Sequence, residues 1–192
     1  ISDYDYDKLF RELQELERTH PQFRAPDSPT QRVGGAPVDY LEKADHPVPM
    51  LSLDNAFDED GVRDFDTRVK RFLGLQGEQL PYVVETKLDG LAVELIYRQR
   101  VLQVGASRGD GRTGEDVTHN LRTVPTIPLG LHGHGDHVEG EIVIRGEVLI
   151  PLADFSALNR RREAEGEATF KNPRNTAAGA VRQLDPRLAA ER

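Results

Sequence analysis

The segment Glu85-Thr-Lys-Leu-Asp-Gly90 carries the residues best suited to chemistry. In an extended backbone alternate side chains share a face, so Glu85, Lys87 and Asp89 are predicted to project together. Lys87 could act as a nucleophilic amine only after losing a proton, because the pKa of an unperturbed lysine is about 10.4. Two neighbouring carboxylates raise that pKa, so this chemistry needs a metal ion or another cation nearby. The alternative without any chemistry is an alternating charged face on an exposed edge strand.

Arg108 is a candidate for binding an anion. It stands where a predicted strand gives way to the glycine-rich turn 109–111, and a guanidinium there can reach a phosphate or a ribose hydroxyl. An ordinary hairpin loop would have the same composition. Arg108-Gly109-Asp110 also matches the tripeptide of cell-adhesion ligands, although a given tripeptide arises by chance in roughly 2% of chains this long. A non-enzymatic adhesion module is therefore kept as an alternative.

Two charged residues interrupt the apolar run from Ile142 to Ile150. Arg145 and Glu147 would be costly to bury in such a strand unless each were paired or bound to a ligand. Glu147 could thus contact a ribose or a metal ion. A structural ion pair between Arg145 and Glu147 is an equal alternative.

Arg174 and Arg182 fall on the last predicted helix, with Ala177, Ala178 and Gly179 between them. Small residues at these positions would let a bulky backbone such as DNA approach closely. Two solvated arginines beside a packed alanine face would give the same pattern.

The histidine-rich segment 131–137 is a weaker signal. His132, His134 and His137 could chelate a metal ion. The glycines between them leave the ligands unorganised, so a solvated loop is the preferred interpretation and we assign no metal-ligating residue.

Composition narrows the class of protein. The chain has 192 residues with 25 Lys+Arg and 33 Asp+Glu, a net charge of −8. This balance argues against a protein that coats nucleic acid by charge alone, although residues 155–192 carry eight basic and five acidic side chains. Cysteine is absent, which excludes thiolate nucleophiles and thiolate zinc sites. No apolar run approaches the roughly 20 residues that span a bilayer, so we predict a soluble cytoplasmic protein without a membrane partner.

Apolar periodicity and turn signals predict the elements that position these side chains. Helices are predicted from Ser2 or Asp3 to Pro21, from Asp58 to Gly74, from Pro151 to Gly166, and from Asn172 through Leu184. The second helix is expected to bury Val62, Phe65, Val69, Phe72 and Leu73. Strands are predicted over 82–85, 91–97, 101–107 and 138–150. Successive strands flanked by helices indicate an α+β fold with antiparallel sheet.

Taken in chain order, these segments resemble a known superfamily. Glu85-Thr-Lys-Leu-Asp-Gly90, Arg108-Gly-Asp-Gly111 and Arg145-Gly-Glu147 are similar to the first three signature motifs of the covalent nucleotidyltransferases, which include DNA ligases, RNA ligases and mRNA capping enzymes. Further stretches resemble bacterial NAD-dependent DNA ligases: Ser28-Pro-Thr-Gln-Arg-Val-Gly34, Met50-Leu-Ser-Leu-Asp-Asn-Ala-Phe57, Thr113-Gly-Glu-Asp116 and Asn172-Pro-Arg-Asn-Thr-Ala-Ala-Gly179. The resemblance covers essentially the whole chain.

The resemblance implies a fold and a division of the chain. The fold would be the α+β covalent nucleotidyltransferase (ATP-grasp-like) fold with antiparallel sheets, preceded by part of a small helical N-terminal region. Residues 1–40 would form the end of that nicotinamide-binding region plus a connector, and residues 41–192 a partial adenylation domain.

The resemblance also implies a reaction. Lys87 would attack the adenylyl phosphate of NAD, release nicotinamide mononucleotide and form lysyl-AMP, while Asp89 organises the lysine and a metal ion. Mg²⁺ would neutralise phosphate charge and help the amine lose its proton. The nucleotide contacts implied by position are Ser52, Leu53, Glu85, Arg108 and Glu147, with Glu85 at the adenine. The residues implied at the nicotinamide mononucleotide half are Asp3, Tyr4, Asp5, Tyr6 and Asp7.

The implied biological role is the sealing of nicks in duplex DNA during replication and repair, by a monomer. Arg174 and Arg182 would lie near the nick and its 5′-phosphate. The family's pattern includes further motifs on both sides of this sequence, so we expect a fragment that does not seal nicks by itself. An ATP-dependent relative shares the lysine, arginine and glutamate motifs, but the segments 3–7 and 28–34 favour NAD.

Overall fold

A computed structural model describes residues 3–31, 40–52, 55–75, 77–132 and 140–191 of the chain. The chain forms two compact units, one of residues 1–50 and 88–192 and the other of residues 51–87. Helices and antiparallel strands are both present, which confirms the predicted α+β class. Among the described residues, no helix has the length and apolar character needed to cross a bilayer.

Element bounds are as follows. The helices are α1 (Asp3–Thr19), α2 (Glu59–Leu73), α3 (Thr118–Leu121), α4 (Leu152–Ala164), α5 (Pro173–Val181) and α6 (Pro186–Ala190). The strands are β1 (Lys43–Asp45), β2 (Leu91–Arg98), β3 (Val101–Ser107), β4 (Thr113–Glu115) and β5 (Glu141–Val148). Short 3₁₀ turns occupy Pro21–Phe23 and Pro29–Gln31.

The larger unit is built on a sheet of three strands in the order β3-β2-β5, all antiparallel. Alternate side chains of β2 point to opposite faces, and Val93, Leu95 and Tyr97 belong to the buried core. The remaining buried members of that core are Leu102, Val117, Leu121, Ile127, Leu129 and Val181. A second sheet pairs β1 with β4 in antiparallel register. The other face of β2 carries Ala92, Glu94 and Ile96, and two of the predicted site residues, Arg108 and Glu147, lie beside Ala92 on this face.

The last predicted helix is two helices in the structure. Asn172 caps α5 by accepting a hydrogen bond from the Asn175 N–H, as its sequence position predicts, but α5 ends at Val181 rather than at Leu184. Asn120 is the physical cause, because its amide nitrogen donates to the carbonyls of Val181 and Gln183, each at 2.6 Å. A new helix then begins at Pro186, where a proline costs no intrahelical hydrogen bond.

Within the smaller unit, α2 has the predicted ends but not the predicted burial. Asp58 accepts a hydrogen bond from the Gly61 N–H at 2.8 Å, and Gly74 closes the helix at φ +70°, where a glycine is favoured. The apolar face remains largely exposed, and the exposed fraction of Phe72 is 89%. The prediction that this face is buried is therefore wrong for the structure as described, because no second helix or strand is described in residues 51–87.

The strand predicted over residues 82–85 is also absent from the described structure. Residues 78–89 belong to no helix or strand, and the exposed fractions of Val83 and Val84 are 88% and 92%. Branched residues favour strands only where a partner strand and a packed face are available. Tyr82 instead anchors the segment to α2 by donating a hydrogen bond to Asp66 at 2.8 Å.

Candidate functional site

One row of side chains crosses the three-stranded sheet on the face opposite the core. Ala92 of β2 lies opposite Glu147 of β5. On the other side, Arg108 directly follows β3 and its N–H donates to the Ala92 carbonyl at 3.1 Å, which continues the register of that pair. Neighbouring strands lie about 4.8 Å apart, so the outer two members of the row are separated by about 10 Å of backbone. The Glu147 carboxylate and the Arg108 guanidinium therefore extend from either side of Ala92. Because the side chain of Ala92 is a single methyl group, the sheet surface between the two charged groups is low.

Glu147 also holds Gly90, which ends the segment Glu85–Gly90 (the lysine motif) and belongs to the larger unit. The Gly90 N–H donates to Glu147 Oε1 at 3.1 Å. Gly90 is buried, and a Cβ added to it would lie 2.1 Å from the Val148 carbonyl oxygen. Only a glycine allows this approach, so Gly90 is held beside Glu147 by a contact that a larger residue would prevent.

Asp89 and Arg182, two predicted site residues, form surface ion pairs. Asp89 pairs with Arg174 Nη1 at 3.2 Å, so the structure brings a predicted catalytic residue and a predicted DNA contact together. Arg182 is the C-cap residue that directly follows α5, and its Nε donates to Glu115 Oε2 at 2.7 Å. Each of these arginines keeps about half of its side chain exposed, 58% for Arg174 and 49% for Arg182. Both guanidinium groups are thus accessible from solvent.

The turn that presents Arg108 is closed by its own aspartate. Asp110 Oδ1 accepts hydrogen bonds from the N–H groups of Arg112 and Thr113, each at 2.8 Å. The bonds from Thr113 and then Arg112 hold the pKa of Asp110 below its ordinary value. The Gly111 N–H donates to the Arg108 carbonyl at 2.9 Å. Asp110 therefore has a structural role in this turn.

Sequence reasoning missed a buried charged cluster next to this row. Glu94 Oε1 lies 2.8 Å from His46 Nδ1, and the side chains of both residues are fully buried. Arg145 Nε donates to Glu94 Oε2 at 3.0 Å, so Glu94 is the partner of Arg145 and the alternative of an Arg145–Glu147 pair is wrong. A usable signal was present, because Glu94 interrupts the apolar run 91–97 just as Arg145 interrupts its own strand.

The remaining predicted site residues lie in the smaller unit or outside the described residues. Glu85, Lys87 and Ser52 belong to the smaller unit and are exposed. Leu53 lies outside the described residues, as do the side chains of the five residues 3–7, whose backbone belongs to α1.

No metal centre is found in the part of the chain that the structure describes, where no three His, Cys, Asp or Glu residues cluster closely enough to hold an ion. Of the three loop histidines, His134 and His137 lie outside the described residues and His132 is exposed. The histidine loop is thus not tested as a chelator.

The antiparallel sheet with Arg108 and Glu147 in one row fits the class of protein that the motifs resemble, the covalent nucleotidyltransferases. The family model described as NAD-dependent DNA ligase adenylation domain matches residues 39–192. The model described as DNA ligase-like, N-terminal NAD+-binding domain matches residues 1–34. The chain belongs to the family of NAD-dependent DNA ligase adenylation domains, which confirms the resemblance.

Curated relatives agree with the family models. A protein named DNA ligase from Geobacter sulfurreducens is 57% identical over 193 residues, covering all of this chain and 28% of the relative. DNA ligases from Neisseria gonorrhoeae (strain ATCC 700825 / FA 1090) and Thermoanaerobacter sp. (strain X514) are 55% and 54% identical, again over the whole chain and over 24% and 28% of the relatives. The chain thus spans about a quarter of the length of the curated relatives it matches.

Proposed function

We propose that this chain is the adenylation region of a DNA ligase and that it transfers AMP from NAD to Lys87. Residues 1–40 would supply the end of the nicotinamide-binding region and its connector, and residues 41–192 the nucleotidyltransferase domain. The observation that carries the proposal is the row of Glu147, Ala92 and Arg108, with Gly90 of the lysine motif bound to Glu147.

The row supplies the groups that a nucleotide needs. The Arg108 guanidinium offers charged donors to a phosphate or ribose oxygen, and the Glu147 carboxylate accepts hydrogen bonds from ribose hydroxyls. Ala92 between them leaves room for the sugar or base to lie on the sheet. The row thus fits the adenosine half of NAD.

The reaction forms one bond and breaks one bond. The neutral Lys87 amine attacks the α-phosphorus on the adenylyl side of NAD, a nitrogen–phosphorus bond forms, and the phosphorus–oxygen bond to nicotinamide mononucleotide breaks. The lysine proton goes to solvent, and the departing phosphate carries the electron pair of the broken bond. Glu85 would recognise the adenine and Asp89 would orient the lysine segment. A covalent intermediate of this kind divides one difficult transfer into two easier steps.

Mg²⁺ and the nicotinamide half complete the proposal. Mg²⁺ usually keeps several waters and binds through substrate phosphates together with one or two carboxylates. When bound, it neutralises phosphate charge. Ser52 and Leu53 would add nucleotide contacts, and the acidic and aromatic residues of segment 3–7 would bind nicotinamide mononucleotide.

Nicked duplex DNA is the proposed second substrate. Arg174 and Arg182 lie at opposite ends of α5 with exposed guanidinium groups, and arginine is well suited to bind a 5′-phosphate. We place this step in a cytoplasmic monomer that acts in DNA replication and repair.

Intact mass measurement tests the proposal. The chain is tested alone and within a chimera in which it replaces the matching region of the Geobacter sulfurreducens relative. We expect the chimera to gain one AMP when it is incubated with NAD and Mg²⁺, and to gain none with ATP or when Lys87→Ala is present. An adduct from ATP alone would assign an ATP-dependent relative instead, and a folded chimera with no adduct from either nucleotide would contradict the proposal.

A further inference from the structure

A second row of side chains lies on the same face of the sheet, two residues along each strand from the row of Glu147, Ala92 and Arg108. The proposed reaction gives its members no role. Arg145, Glu94 and Ala106 lie side by side on β5, β2 and β3. The segment 46–50 contacts the charged members of this row. His46 lies 2.8 Å from one oxygen of Glu94, while Arg145 donates to the other oxygen at 3.0 Å and also donates to the carbonyl of Val48.

The same histidine reaches the turn that presents Arg108. His46 Nε2 lies 3.0 Å from the Arg108 carbonyl oxygen. The His46 N–H donates to the Arg112 carbonyl at 2.8 Å, and the Met50 N–H donates to the Gly111 carbonyl at 2.8 Å. Segment 46–50 thus contacts turn 108–112 at both ends and near its middle. Of these three contacts, the one to the Arg108 carbonyl is made by a side chain, the His46 ring.

Every polar group in this cluster has a partner. The two ring nitrogens of His46 lie against two oxygens, the Glu94 carboxylate at Nδ1 and the Arg108 carbonyl at Nε2. The Glu94 carboxylate thus lies between the His46 ring and the Arg145 guanidinium. The neighbours of Glu94 on this face, Ile96 and Ala106, are buried apolar residues with exposed fractions of 4% and 1%, so the bond between the fully buried His46 and Glu94 side chains is shielded from water.

Stability alone does not account for such a cluster. A buried ion pair seldom stabilises a fold more than well-packed apolar residues would. An apolar trio would fill the same space, but it would leave the Arg108 carbonyl without the bond from His46. The feature that only the charged cluster provides is a side-chain bond to the Arg108 carbonyl, added to the backbone bonds that hold the turn.

We propose that His46, held in place by Glu94 and Arg145, is a positioning residue that fixes the Arg108 turn and thereby aims its guanidinium at the nucleotide. Its geometry is independent of any reaction, whereas its effect on AMP transfer rests on the proposed function. The two parts are therefore tested by different measurements.

Amide hydrogen exchange tests the geometry without nucleotide. In His46→Phe the Gly111 amide, which is bonded to the Arg108 carbonyl, is expected to exchange at least about 10-fold faster, while the core amide of Leu102 keeps its rate. His119→Phe is the matched control, because its Nε2 likewise bonds a backbone carbonyl, that of Gln183, at 3.0 Å. Unchanged exchange at Gly111, or equal acceleration at Gly111 and Leu102, would overturn the proposal. Glu94→Gln, which keeps the size of the side chain, provides the same comparison if His46→Phe does not fold.

A double-mutant cycle in the chimera tests the effect on AMP transfer. His46→Phe is expected to slow single-turnover adenylation about 30-fold when Arg108 is present and less than about 3-fold in Arg108→Ala, because both residues act through one contact. Equal slowing in both backgrounds would contradict positioning through Arg108. If Gly111 exchange responds as expected but the unsubstituted chimera forms no adduct, the proposed function fails and the positioning of the turn stands.

Discussion

Gly90→Ala tests the contact that holds Gly90 beside Glu147 and Val148. The added Cβ would lie 2.1 Å from the Val148 carbonyl oxygen and 3.1 Å from Glu147 Cγ, whereas carbon atoms in contact are about 3.5 Å or more apart. Segment 88–90 must therefore move away from β5 by about 1 Å. Forcing an extra methyl group into a packed site costs about 1 to 3 kcal/mol, and the Gly90 hydrogen bond to a carboxylate is worth about 1.5 to 3 kcal/mol.

Because relaxation relieves part of each term, we expect Gly90→Ala to lower the free energy of unfolding by about 2 to 4 kcal/mol. With a urea m value of about 2 kcal/mol/M, the denaturation midpoint falls by about 1 to 2 M. Gly146→Ala is the matched control, since nothing lies within 4 Å of a Cβ added there, and its midpoint is expected to stay or rise. Equal midpoints for the two variants would refute the argument that the Gly90 contact is tight.

Two further predictions concern the row and its turn. Ala92→Leu is expected to weaken NAD binding by at least about 10-fold, or about 1.4 kcal/mol of binding free energy, because the larger side chain would fill the space proposed for the sugar or base. The urea midpoint is expected to stay unchanged. Calorimetric titration of the chimera with NAD checks this, and an unaltered affinity would exclude nucleotide binding over Ala92. Asp110→Asn is expected to destabilise the chain at neutral pH. The pKa of Asp110 in the folded protein lies below its ordinary value of 3.8. The stabilisation by Asp110 is therefore full above pH 3.8 and is lost as the pH falls through the lower pKa of the folded state. Unfolding curves of both proteins over this pH range should converge in acid, and a difference that persists there would contradict the assigned cause.

Local signals in the sequence were sufficient for the two ends of α2. Asp58 begins α2 by accepting a capping bond from Gly61, and Gly74 ends it as a left-handed C-cap. Both signals depend only on residues a few positions apart, so they can be recognised from the sequence. Burial is not local. The apolar stripe of α2 predicts a buried face, but whether another element covers it depends on the rest of the fold.

The composition of the site was predicted, but its geometry was not. Arg108 and Glu147 are separated by 38 intervening residues, and they share one row only because of the register of β2 with its two neighbours. A one-residue shift would place them on opposite faces. His46 was missed for a related reason, since its partners Glu94 and Arg108 follow 48 and 62 residues later.

The central claim is that AMP is transferred from NAD to Lys87, and mapping the modified residue tests it most directly. The chimera is treated with NAD and Mg²⁺, digested, and its peptides are sequenced by mass spectrometry. We expect one AMP on the peptide that contains Lys87 and none on those containing Lys8, Lys43, Lys70 or Lys171. AMP on another residue of the chain, with Lys87 unmodified in a folded protein, would contradict the account.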